Sequence, residues 1–286
     1  MATESGERVT TGIVVAHERD VVGLSCITLR SPDPQAWSPI GRDVLSSDVV
    51  EQPGAVSLTF PSGKSLRFVD DERCPQVQIR WAVSSPNAVR RVVERAGDAA
   101  TSATTISDPD GVVSELVDRA HDAPKGQPDL GHLVAGVGDL DAATGFYTEI
   151  LGLQISDRVR IPLAAGGKSL GVFLRGADHR HHSLALISAT PGIRHVMVEL
   201  PDVDAVGRAI DACHTAGIDM TRTLGRHTND QMLSFYFRGP DGYEVEVGCG
   251  GIVVDDGSWT PAVHEGPSEW GHQFVNRVPQ TEGNAG

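Results

Sequence analysis

Eleven histidines are spread unevenly along the 286 residues, and only His17 and His121 precede residue 130. The second half therefore concentrates the side chain that binds metals and moves protons near neutral pH. Within it, Gly225–Gly248 reads GRHTNDQMLSFYFRGPDGYEVEVG and carries His227, Tyr236, a Pro-Asp-Gly turn and two acids, Glu244 and Glu246, on one alternating strand. Laid over the first half by the repeat described next, His132 falls on Cys26, His195 on Gln78 and Glu246 on Glu115. Two neutral imidazoles and one carboxylate, with coordination positions left open, form a donor set suited to Fe(II). A single histidine at the start of a strand is usually a packing or surface residue. Two at equivalent places in repeated units, with a carboxylate on the closing strand, point to a metal site. Strand parity does not choose between Glu244 and Glu246, because residues two apart share a face.

The elements that must position these groups recur. From Val22 onward a unit of strand, amphipathic helix and further strands appears four times, over about 20–72, 76–120, 130–188 and 193–250. In the first unit Trp37, Ile40 and Val44 fall at helical spacing, and in the third Asp139 is an N-cap before Leu140, Ala143, Phe146 and Ile150. Val89, Val92 and Ala96 form an apolar stripe in the second unit, as Val206, Ile210 and Cys213 do in the fourth. Pro-Asp-Gly turns open the closing strands of both halves, in SDPDGVVSELV and RGPDGYEVEVG. The pattern predicts an α+β fold of two domains, each of two βαβββ modules, with sheets curled around a cleft and helices outside. The expected division is an arm over 1–19, a first domain over 20–120, a linker over 121–129, a second domain over 130–250 and a tail over 251–286, with the SW and EWGH stretches of the tail packing back on the body. The first strands of the third and fourth modules, carrying His132 and His195, are expected to face each other across the cleft.

Composition narrows the partners. A net charge of -14 opposes binding to nucleic acid or an anionic membrane. The four cysteines are scattered without a CxxC pair, so neither a zinc knuckle nor a disulfide framework is indicated, and a reducing cytoplasm is the expected compartment. The polar start lacks a signal-peptide core, and no apolar run approaches the length of a membrane helix.

These motifs resemble the type I extradiol ring-cleavage dioxygenases of the vicinal oxygen chelate superfamily, with the glyoxalase/bleomycin-resistance fold, and within them the enzymes that cleave 2,3-dihydroxybiphenyl. The family signature is G-x-H, seven residues, Phe-Tyr, a Pro-x-Gly turn and a Glu; here it stands as Gly225, His227, Phe235-Tyr236, Pro240, Gly242 and Glu246. The likeness runs from about Leu130 to Gly248, and the first half matches as a degenerate, metal-free copy. The resemblance implies His132, His195 and Glu246 as ligands of Fe(II), with Mn(II) possible on the same donors, and so selects Glu246 over Glu244. It implies His182, within DHRHHSLAL, as the acid–base residue, although an HRHH run taken alone reads as a solvated turn. It implies His227 and Tyr236 as partners of the catechol oxygens, with Asn229 and Asp230 supporting them. Val134 and Phe173 are candidates for the ring pocket, and equally for ordinary packing. The implied reaction is extradiol opening of a catechol, 3-substituted as in 2,3-dihydroxybiphenyl, by O2 to a 2-hydroxymuconic semialdehyde-type product, in a cytoplasmic homo-oligomer. The alternatives are glyoxalase or epimerase chemistry on the same fold, or metal-free binding of a small molecule. Gly239 and Val247 depart from the family pattern at positions where substrate fit would be affected.

Overall fold

The computed structural model describes residues 19–119, 126–162 and 166–275. Most of the expected arm, most of the linker and the end of the tail, with His17 and His121, lie outside these residues.

The first sheet is built by β1 (Val21–Arg30), α1 (Trp37–Asp43), β2 (Asp48–Gln52), β3 (Ala55–Thr59), β4 (Ser65–Val69), β5 (Val77–Val83), α2 (Pro86–Ala96), β6 (Thr105–Ser107) and β7 (Val113–Asp118). Its strand order is β2-β3-β4-β1-β5-β7-β6. The first module has the expected three strands after its helix. The second has two, with residue Ala100 making only an isolated bridge to Ile106 where a third strand would lie.

The second sheet follows the repeat fully: β8 (Asp129–Val137), α3 (Leu140–Gly145), β9 (Gln154–Pro162), β10 (Lys168–Arg175), β11 (Leu184–Ser188), β12 (Gly192–Glu199), α4 (Val203–Ala216), β13 (Met220–His227), β14 (Leu233–Arg238) and β15 (Glu244–Cys249). Two tail strands, β16 (Ala262–His264) and β17 (Ser268–Trp270), join opposite edges, giving the order β16-β9-β10-β11-β8-β12-β15-β14-β13-β17. Only three residues separate β16 from β17. Four extended steps reach about 14 Å, so edges β9 and β13 must curve round until that short link bridges them. The tail thereby shows why the ten-stranded sheet is curled and not flat. Trp259 also packs back, its indole N–H donating to the Ser156 carbonyl at 2.8 Å.

Local chemistry accounts for the helices. Ser85 caps α2 through Ala88 N–H with Pro86 in its first turn. Asp139 caps α3 through Asp141 and Ala142, after which the chain continues as a wider π-type turn over Phe146–Ile150. Asp202 caps α4, and Gly217 ends it at φ 66°, a conformation that costs glycine little. The stripes Val92/Ala96 and Val206/Cys213 are buried, with Val89 and Ile210 packed at the margin.

The two sheets touch through specific contacts. Trp37 stacks on Phe68 at 3.9 Å and donates its indole N–H to Asp241 at 2.7 Å. A Cβ on Gly239 would fall 2.0 Å from the Trp37 ring. The departure at Gly239 is thus a packing requirement of the first sheet's tryptophan, away from the histidines. Val247, fully buried next to Glu246 in sequence, points to the opposite, helix-covered side. Lys64 reaches Asp129 at 3.0 Å, and Tyr147 donates to Asp108 at 2.9 Å. Among the described residues no helix is long and apolar enough to cross a membrane.

One expectation is corrected. β8 and β12 do not face each other across a cleft; they pair antiparallel, side by side, with His132 opposite Met197. β15 pairs parallel on the other side of β12, with Glu246 opposite Met197. The first strands of the two modules satisfy their backbone hydrogen bonds on each other, which joins the modules into one sheet. His132, His195 and Glu246 then lie on three successive strands.

Candidate metal centre and substrate pocket

The three donors converge because opposed residues of paired strands share a face. His132 and Glu246 flank Met197, and His195 lies two residues before Met197 on the same side. The bulge in β8 helps: Gly131 is an extra residue there, and a Cβ on it would meet Met197 Sδ at 2.3 Å. His132 Nε2 and His195 Nε2 are 3.4 Å apart, and they lie 3.2 and 3.1 Å from Glu246 Oε2. Three ligands on one face of an octahedral ion, with bonds of about 2.1 Å at right angles, would be separated by about 3 Å. The observed triangle fits such an ion. Glu244, by contrast, accepts from Thr221 at 2.5 Å and Arg222 at 3.1 Å, so its carboxylate is claimed elsewhere although its backbone pairs opposite His195.

The electrostatics agree with ligand duty, which requires neutral imidazole and ionised carboxylate. Burial holds His132 below the ordinary imidazole range, outweighing the carboxylate beside it. Burial alone would favour a protonated Glu246, but the charge of His227 and hydrogen bonds from three imidazoles hold it well below the usual carboxylate range.

His227 Nδ1–H donates to the Pro267 carbonyl at 2.7 Å, while its Nε2 lies 2.8 Å from Tyr236 Oη and 3.1 Å from Glu246 Oε1. Burial pulls His227 down; Glu246 outweighs it and holds the ring up to about 9. Burial, reinforced by Glu246, pushes the Tyr236 phenol well above its ordinary value, so it remains a donor. On the other side, His182 is 3% exposed, and its ring centroid lies 4.0 Å from that of His132. Burial, then the neighbouring histidines, hold it well below the imidazole range. Phe173 meets the His182 ring edge-on at 4.8 Å. Val134 is buried opposite His195. Asp230 accepts from Met232 N–H and lies 3.7 Å from His182 Nδ1. Asn229 is buried, and its amide nitrogen has no hydrogen-bond partner among the described residues.

Sequence reasoning missed several neighbours. In DHRHHSLAL only His179 is a solvated turn residue; His181 is 2% exposed and bonded to Asp157 at 2.9 Å. His272 lies over His227 at 4.3 Å and shares a 2.7 Å hydrogen bond with Ser268. Burial, chiefly, brings His272 down to about 4. The WGH stretch was a visible signal for His272; Asp157, in the polar run SDRVR, had none. A cavity of about 690 Å³ between the sheets also reaches His132, His182 and Asp230 from Val22 and Lys64.

The profile of the glyoxalase/bleomycin resistance protein/dioxygenase superfamily matches residues 129–247, which hold the His-His-Glu face of this curled sheet. The curated relatives that match are extradiol dioxygenases. The chain is 40% identical over 161 residues to an iron-dependent extradiol dioxygenase of Rhodococcus jostii, covering 54% of each chain. It is 44% identical over 153 residues to a biphenyl-2,3-diol 1,2-dioxygenase of Paraburkholderia xenovorans, covering 52% of this chain and 50% of that one. The chain thus spans about half the length of the curated relatives it matches. The crystal structure of a halotolerant catechol dioxygenase superposes with a TM-score of 0.79 at 26% identity, over 90% of this chain and 96% of that one.

Proposed function

We propose that the protein cleaves catechols in the extradiol position, using Fe(II) and O2, with a 3-substituted catechol such as 2,3-dihydroxybiphenyl as substrate. The observation that carries this reading is the donor triangle of His132, His195 and Glu246, flanked by His182 on one side and the His227–Tyr236 pair on the other. Iron-dependent naming of a relative supports the choice of metal. When bound, Fe(II) would acidify the catechol hydroxyls and bring catechol and O2 into one coordination sphere. The chain's own residues do the rest. The Tyr236 hydroxyl and His227 Nε2 hydrogen-bond the catechol oxygens and set the ring's orientation. Phe173 and Val134 wall the apolar ring. His182 carries the proton that ring opening must move, in a pocket shielded from bulk water. A glyoxalase or epimerase has no use for this second set of groups, and a metal-free binder has none for the triad. The half over 20–120 serves as a metal-free domain that supports the catalytic half over 130–250.

The test is anaerobic loading with Fe(II), then 2,3-dihydroxybiphenyl and air. Oxygen uptake with a yellow ring-opened product is expected. Absence of both across a panel from catechol to bicyclic catechols would sink the reading.

A further inference from the structure

Behind His182 stands a buried chain of groups that the proposed reaction does not yet use. His182 Nδ1 lies 3.0 Å from His181 Nδ1, and His181 Nε2 lies 2.9 Å from Asp157 Oδ2. All three side chains are almost fully enclosed, with Asp157 1% exposed. The tail closes the far end: Ala262 N–H donates to Asp157 Oδ1 at 2.6 Å, and His264 Nε2 lies 3.3 Å from Oδ2. The Trp259 ring meets His181 edge-on at 5.4 Å.

Donor and acceptor rules then leave little freedom. Burial favours the neutral Asp157 acid, but hydrogen bonds from His181 and Ala262 outweigh it, and the group stays an ionised acceptor. An ionised carboxylate only accepts, so His181 Nε2 carries a hydrogen. A neutral His181 then has a bare Nδ1, which must accept, so His182 Nδ1 carries a hydrogen too. Asp230 Oδ2, 3.7 Å from His182 Nδ1, favours the same arrangement. The lone pair of His182 is left on Nε2, which has no hydrogen-bond partner among the described residues.

We propose that Asp157 and His181 are positioning residues that hold His182 in its Nδ1–H tautomer, with Nε2 kept free to take up and return the proton of ring cleavage. The proposal rests on the acid–base role assigned to His182 above. It also gives the tail a function, since strand β16 seats the carboxylate that orients the pair.

The test uses the full chain, labelled with 15N-histidine and with no metal added. Long-range proton–nitrogen correlation, assigned with His182→Gln, is expected to show a protonated Nδ1 and a bare Nε2 on His182. His181→Leu should move His182 toward the Nε2–H tautomer. His181→Asn, whose amide oxygen replaces the lost acceptor, should restore the original one. In the iron-loaded chain, His181→Leu and Asp157→Asn should lower kcat by about 10- to 100-fold, with KM within about two-fold and iron content unchanged; His181→Asn should recover part of the loss. If His182 keeps its tautomer in both His181→Leu and Asp157→Asn, the proposal is overturned; a loss confined to KM or iron content overturns it equally. A chain without any dioxygenase activity would defeat the functional reading, while the tautomer measurement would still decide the positioning role.

Discussion

Two rows of side chains occupy the same place in the two sheets. Cys26, Arg80 and Glu115 are cross-strand neighbours on β1, β5 and β7; His132, Met197 and Glu246 are neighbours on β8, β12 and β15. Each first strand even carries its bulge just before the row, at Ser25 and at Gly131. Gln78 and His195 both precede the middle residue by two. The decisive difference is in the middle. Arg80 brings a permanent cation, and its Nε donates to Glu115 Oε2 at 2.8 Å. Met197 brings none, and Glu246 is left facing three imidazole nitrogens. Glu246, almost fully enclosed, needs a positive partner more than the partly exposed Glu115 does. In the first half the row itself supplies it as Arg80; in the second His227 supplies it from β13, and the row is left open to an ion.

The largest expected effect comes from breaking that contrast at the acid. Glu246→Gln should abolish both bound metal and oxygen uptake, whereas Glu115→Gln should leave the metal content of the purified chain unchanged. Equal metal loss in the two variants would remove the distinction between the halves. Next in size is His182→Ala, which should retain metal and lose turnover by about 10²- to 10⁴-fold; steady-state oxygen-electrode kinetics and elemental analysis of the same sample decide it.

The contrast can also be sharpened by construction. The triple change Cys26→His, Gln78→His and Arg80→Met should raise metal stoichiometry from one toward two per chain. The pair Cys26→His and Gln78→His with Arg80 kept should not, because the guanidinium already satisfies Glu115. Calorimetric titration with the metal alone reads both.

Smaller effects concern stability, and they separate the scaffold from the site. Asp20, fully buried, is held by Arg91 and Arg95, the latter at 2.7 Å. Burial raises its pKa, but these hydrogen bonds outweigh that and lower it. A carboxylate depressed in the folded state contributes stability above about pH 4 that is lost as pH falls through the folded value. Asp20→Asn should therefore cost about 3 kcal/mol at neutral pH, less in acid, read by urea unfolding at several pH values. Gly239→Ala should cost about 1–3 kcal/mol through the clash with Trp37. It should leave metal binding intact; a change in metal affinity would instead place Gly239 in the site.

Much of this was legible from residue type and spacing. The histidine skew, the aligned pairs His132/Cys26 and Glu246/Glu115, the capped helices and the Pro-Asp-Gly turns are all local or periodic signals, and periodicity survives in one dimension. The choice of Glu246 over Glu244 was not readable from strand parity, and Thr221 and Arg222 show why: the two acids share a face but different neighbours claim them. Only the tertiary structure decided that His132 and His195 sit on adjacent, hydrogen-bonded strands, since strand partners are chosen by the whole sheet's backbone pairing. It alone decided that Arg80 fills in the first sheet the place Met197 leaves open in the second. It alone brought Asp157 to His181 and the tail to Asp157, contacts between residues 24 and 105 positions apart that no repeat or motif encodes. The sequence by itself determined which groups could do chemistry; their partners were decided by the curl of a ten-stranded sheet that brings distant strands onto one face.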